Sequence, residues 1–105
     1  MSDIHTGSRL SKSEVRQFLK KFFNLKNRYL QFSSHVTKDR MIKWDLKTGD
    51  INNVLHGGKV EKTQWDVEHD GWKYTIETKN IGVVFRIIRN DWIKIITVYR
   101  KRVKL

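Results

Sequence analysis

Cysteine is absent from this 105-residue chain. That excludes a disulfide framework, a thiolate metal site and a cysteine nucleophile. Acidic residues are scarce as well: 11 Asp and Glu face 22 Lys and Arg, for a formal net charge of +11. No apolar run approaches the roughly 20 residues that a membrane helix requires, and the first residues lack the apolar core of a signal peptide. A soluble, cytoplasmic protein with no membrane partner is the expectation. His5, His35, His56 and His69 show no tight ligand spacing, so neither a metal nor a cofactor is predicted. Internal repeats and low-complexity linkers are missing too.

What is present suffices for one compact domain. The chain is 38% hydrophobic and carries 4 Trp, 3 Tyr and 5 Phe, enough apolar surface to offset the entropy of ordering the chain. The excess positive charge is spread along the whole length. Such a field gathers polyanions, which makes nucleic acid the default partner class; an acidic protein partner is the alternative.

Residues 1–10 read as a flexible N-terminus and 11–105 as a single domain. Ser11 and Glu14 have the spacing of a capping box, in which each side chain satisfies a free amide of the first helical turn. Val15, Phe18, Leu19, Phe22 and Leu25 then lay an apolar stripe on a helix over about 12–27, with Arg16, Lys20, Lys21, Lys26 and Arg28 on its other face. Tyr29 to Phe32 reads as a short apolar connector. Ser33 or Ser34 caps a second helix, His35 to Lys43, and Thr48 caps a third, Gly49 to Leu55. Gly57-Gly58 ends that helix, on the expectation of a positive φ at its C-terminus.

Beyond Lys59 the period falls from about 3.6 to 2. Asp70-Gly71, Asn80-Ile81-Gly82 and Asn90-Asp91 divide the rest into four strands. The fold class predicted is α+β, with N-terminal helices packed on a four-stranded antiparallel sheet. The last two strands are apolar on both faces, so they either lie centrally in the sheet or have their second face covered as well.

His35 is the one histidine beside a cation cluster at a predicted helix start. Metal-free RNA cleavage requires a base for the 2′-OH, cations for the phosphate charge and an acid for the leaving oxygen; histidine suits either proton role. Lys38, Arg40 and Lys43 follow within two turns, and Thr97 and Tyr99 share one face of the last strand. From these residues alone the reading stops at a basic α+β domain that binds nucleic acid.

The pattern Phe32-Ser33-x-His35, Arg40-Met41, Leu46, Asp50-Ile51-x-x-Val54-Leu55-x-x-Gly58, followed by Ile95-Ile96-Thr97-Val98-Tyr99, resembles a bacterial domain of unknown function within the RelE-like and colicin-nuclease (BECR-fold) superfamily of ribonuclease toxins. The likeness spans about 32–101. It implies a metal-independent endoribonuclease of toxin type that cleaves tRNA or mRNA to a 2′,3′-cyclic phosphate, with RNA lying across an open sheet face and an antitoxin or immunity protein as possible partner. In the colicin D type, a Lys and a His three residues apart act with a Ser-x-Trp pair on a late strand; His35 with Lys38, and Thr97 with Tyr99, are similar. The resemblance thus implies His35 as base or acid, Lys38 and Arg40 as phosphate clamps, and Thr97 and Tyr99 as hydroxyls on the phosphate or base. Lys43, Trp44, Lys59, Arg100 and Lys101 complete the expected RNA-binding set. In the resembled pattern Arg-Met stands one residue closer to the His, a difference of about 100° around a helix, enough to aim His35 away from Arg40. Trp44 stands where a second Arg is expected. The competing readings are a non-catalytic nucleic-acid-binding module and a basic inhibitor or regulator of another protein.

Overall fold

The computed structural model describes residues 8–101. The expected N-terminal fraying of 1–7 and the basic arm beyond Lys101 lie outside the described residues. Residues 8–10 are held by contacts: Leu10 is buried, its amide donates to the Tyr74 hydroxyl (3.1 Å), and Arg9 Nε donates to Thr63 Oγ1 (2.8 Å).

Helix α1 (Lys12–Asn24) begins at the capping box foreseen from Ser11 and Glu14 and buries Val15, Phe18, Leu19 and Phe22. It stops short of Leu25, which is exposed. Strand β1 (Tyr29–Phe32) follows, then a π-helical turn (Val36–Arg40) that runs into the short helix α2 (Met41–Lys43). Helix α3 (Thr48–Gly57) starts one residue earlier than expected; the Asp50 carboxylate accepts the Lys47 amide at 2.8 Å. Strands β2 (Lys59–Asp66), β3 (Gly71–Glu77), β4 (Ile81–Arg89) and β5 (Trp92–Arg100) then form the meander.

The sheet has five strands in the order β1-β5-β4-β3-β2. The four-stranded, wholly antiparallel expectation is therefore corrected: the segment read as a connector is an edge strand, and it pairs parallel with β5, Tyr29 opposite Trp92 and Phe32 opposite Ile95. Its partner lies some 60 residues away in the chain, beyond the reach of any local signal.

One face of the sheet carries the core. Tyr74, Ile76, Val83, Phe85, Ile87, Ile93, Ile95 and Val98 form a single cluster with the buried residues of α1, with Val36 of the π turn and with Ile51, Val54 and Leu55 of α3. Each fully buried large side chain contributes about 1.5–3 kcal/mol. Of the two readings of the doubly apolar strands, the central position holds: β4 and β5 each lie between two neighbours. No described helix packs on the second face, where Val84, Ile88 and Ile96 are half-buried among polar neighbours. Among the described residues, no helix is long and apolar enough to cross a membrane.

Candidate functional site

Three local choices position His35. Ser33 continues the β1–β5 register by donating its amide to the Ile95 carbonyl (3.2 Å), and its own hydroxyl and carbonyl receive the Val36 amide (3.3 and 3.1 Å). Val36 is fully buried and pins the turn to the core. The chain between them then widens into hydrogen bonds spanning five residues, as in Met41 N–H to Val36 carbonyl.

In a turn of that width, residues five apart face each other. Arg40 Nε donates to His35 Nε2 at 3.1 Å. The expectation that the spacing aims His35 away from Arg40 is thus overturned by the π-helical geometry. An accepting Nε2 leaves the ring proton on Nδ1, and Asp39 Oδ2 lies 3.8 Å from that nitrogen and 3.8 Å from Arg40 Nε. His35 is solvent-exposed while Arg40 is half-buried, so the imidazole is presented outward from a fixed support. π turns are often found at functional sites. Asp39 was not singled out in the sequence; its place four residues after His35 was the available signal.

The remaining predicted residues separate into groups. Lys38 is exposed on the same turn. Lys43 lies over the Trp44 ring, 5.3 Å from its centroid. Trp44 itself packs against the core and its Nε1 is buried without a hydrogen-bond partner, so its indole face is a wall, with less surface free for a base than expected. Arg100 donates to the carbonyls of Trp44 (3.1 Å) and Asp45 (3.2 Å), fastening the end of α2 to β5. Lys101 pairs with Glu77 at 3.4 Å. Lys59 is exposed at the start of β2.

Thr97 and Tyr99 do share a face, opposite Val84 and Gly82, but it is the face away from the helices. No hydrogen bond joins either to His35 among the described residues. The Tyr99 hydroxyl donates to Glu77. Burial pushes the Tyr99 phenol up, and the Glu77 carboxylate raises it further, so the proton is held firmly on the oxygen.

That second face carries Lys62, Lys73, Arg86 and Lys94, and Arg86 stands directly opposite Lys94 in the β4–β5 register. Like charges so placed repel, and neither makes an ion pair among the described residues. Arg86 Nε is buried and unpartnered. None of Lys62, Lys73, Arg86 or Lys94 was expected as a site residue from the sequence, although their alternation with apolar residues along the strands marked them.

Among the described residues, one group of side chains has metal-ligand spacing: Asp66, Glu68 and His69, with ligand atoms within 4.8 Å of one another. Asp66 accepts from the Glu68 amide (3.2 Å) and meets His69 Nδ1 at 2.7 Å. Burial pushes the Asp66 carboxyl up, but His69 and then Lys73 outweigh it and hold it below the usual range. These bonds account for the cluster as a clamp on the β2–β3 turn.

In comparisons with known proteins, a family model described as "Domain of unknown function (DUF4258)" matches residues 32–100, from the end of β1 through β5. No curated protein and no solved structure matches the chain.

Proposed function

The chain belongs to the DUF4258 family, and from the geometry of its π turn we propose that it is a metal-independent endoribonuclease of toxin type. The observation that carries this reading is the Arg40–His35 hydrogen bond at 3.1 Å on an exposed face. It sets a proton acceptor beside a guanidinium whose two terminal nitrogens make no hydrogen bond among the described residues and so can meet a phosphate. The helix layer on a largely antiparallel sheet accords with the resemblance to RelE-like and colicin nucleases; the parallel β1 is a departure from it.

In the proposed reaction an arriving phosphate draws the Arg40 guanidinium onto its own oxygens and releases the His35 Nε2 lone pair. Nε2 takes the 2′-OH proton as the 2′ oxygen attacks phosphorus. The bond from phosphorus to the 5′ oxygen breaks, and that oxygen leaves with a proton from solvent or from His35 itself. The products are a 2′,3′-cyclic phosphate and a 5′-hydroxyl. Arg40 and Lys38 oppose the charge that grows on the phosphate.

The test is cleavage of total tRNA and of a long mRNA in the presence of EDTA, with end-group analysis. Discrete fragments ending in 2′,3′-cyclic phosphate are expected. His35→Ala should lose about 10²–10⁴-fold in rate, the usual worth of a positioned acid–base group. Arg40→Lys keeps the charge but loses the Nε donor, and should lose tenfold or more (~1.4 kcal/mol). A His35→Ala protein that cuts as fast as the parent removes the assignment.

A second reading, a nucleic-acid-binding module that does not cut, is favoured by one specific observation. The Tyr99 hydroxyl is engaged by Glu77 and faces away from the helices, so the second catalytic element of the resembled nucleases is not gathered at His35. Under it, RNA stays intact at every enzyme concentration.

A further inference from the structure

At the β1 edge the open face of the sheet bears an aromatic pair that the core does not explain. Tyr29 is 54% exposed, the most exposed aromatic side chain among the described residues. Its ring centroid lies 5.7 Å from that of Trp92, its direct partner across the β1–β5 ladder. The indole is fixed in plane by its Nε1 donating to Gln31 Oε1 at 3.0 Å, and Arg89 lies over it, 5.2 Å from the centroid. Tyr29, Trp92 and Arg89, together with Asn27, Arg28 and Asp91, line a shallow cleft of about 220 Å³.

The next row along the same face, two residues further on β1 and β5 and three along β4 across its bulge, is Gln31, Lys94 and Arg86. Rows so spaced are about 7 Å apart. An aromatic row thus adjoins a row holding two cations that are ladder partners and make no ion pair among the described residues.

We propose that Tyr29 and Trp92 form a stacking subsite for an unpaired base of single-stranded RNA, whose adjoining phosphate lies on Lys94 and Arg86. The subsite rests on reading this chain as an RNA-acting protein, and it adds the substrate class: an unpaired strand laid across the sheet, entering at the β1 edge. Rigid aromatic faces hold bases without regard to sequence, and the cations supply the salt-dependent part of the affinity. The Asp91 carboxylate, 3.8 Å from Arg89 Nε, is the one anion in the cleft. It repels a phosphate there, which leaves the cleft to the base.

The experiment measures binding of a 2′-O-methylated oligoribonucleotide, which has no nucleophile and stays whole, against its duplex and against inorganic polyphosphate. Single strand should bind more tightly than duplex. Tyr29→Ala, at an exposed position, should lose about tenfold on the single strand and leave polyphosphate binding unchanged, while Tyr29→Trp should keep the parent affinity. An unchanged affinity in Tyr29→Ala, or an equal loss on polyphosphate, overturns the subsite. A protein that binds the strand through Tyr29 but never cuts RNA keeps the subsite and removes the nuclease reading. A protein that binds no nucleic acid removes both.

Discussion

Gly58, where α3 passes into β2, illustrates how a residue can be read correctly for the wrong reason. A glycine was expected there to supply a positive φ, yet its φ is −74°, a value open to any residue. Its role is close approach. A Cβ at this position would lie 2.6 Å from the Val54 carbonyl oxygen and 2.9 Å from Ile76 Cγ1, so backbone and core would have to part. Gly58→Ala should therefore cost about 1–3 kcal/mol, the usual range for overpacking, measurable by urea denaturation; an unchanged midpoint would mean that the helix end yields. Gly82 belongs to the same class, since a Cβ there would overlap the Tyr99 ring that Glu77 holds in place. Composition and spacing mark such glycines, but only the folded contacts say whether conformation or space selects them. His35 and Arg40 divide in the same way: both were legible as residue types, and their meeting was not.

Among elements, α3 depends on a side chain from another helix. Arg16 of α1 donates through Nη1 to the carbonyls of Leu55 (3.1 Å) and His56 (3.1 Å) and through Nη2 to that of Gly58. In the sequence it was one of several cations on the polar face of α1. In the fold it supplies the missing donors at the C-terminus of α3 and opposes the negative end of that helix's dipole. Arg16→Ala should destabilise the protein by about 1.5–3 kcal/mol, as for hydrogen bonds from a charged group, whereas Lys20→Ala, exposed one turn later, should be near neutral. Equal thermal shifts for the two variants would refute the capping role. The helices and the last four strands were legible because hydrophobic period and turn residues are local. Strand β1 was not, since four residues carry too little pattern and their ladder partner is fixed by tertiary structure alone.

For the whole molecule the governing quantity is charge. The net +11 was plain in the sequence, but its arrangement was not: the helices cover one face, and Lys62, Lys73, Arg86 and Lys94 line the other. If each neutralises one phosphate of a single strand, the logarithm of the binding constant should fall with the logarithm of salt at a slope of about −3, near 0.7 per contact. Lys94→Gln should bring the slope closer to zero by about 0.7. A slope that ignores this substitution would move the nucleic-acid surface elsewhere. An ordinary α-helix brings together residues four apart, whereas the π-helical turn joins His35 and Arg40, which are five apart. The contact therefore belongs to the wide turn itself: wound as an ordinary α-helix, the same two residues would point about 140° apart and lose each other.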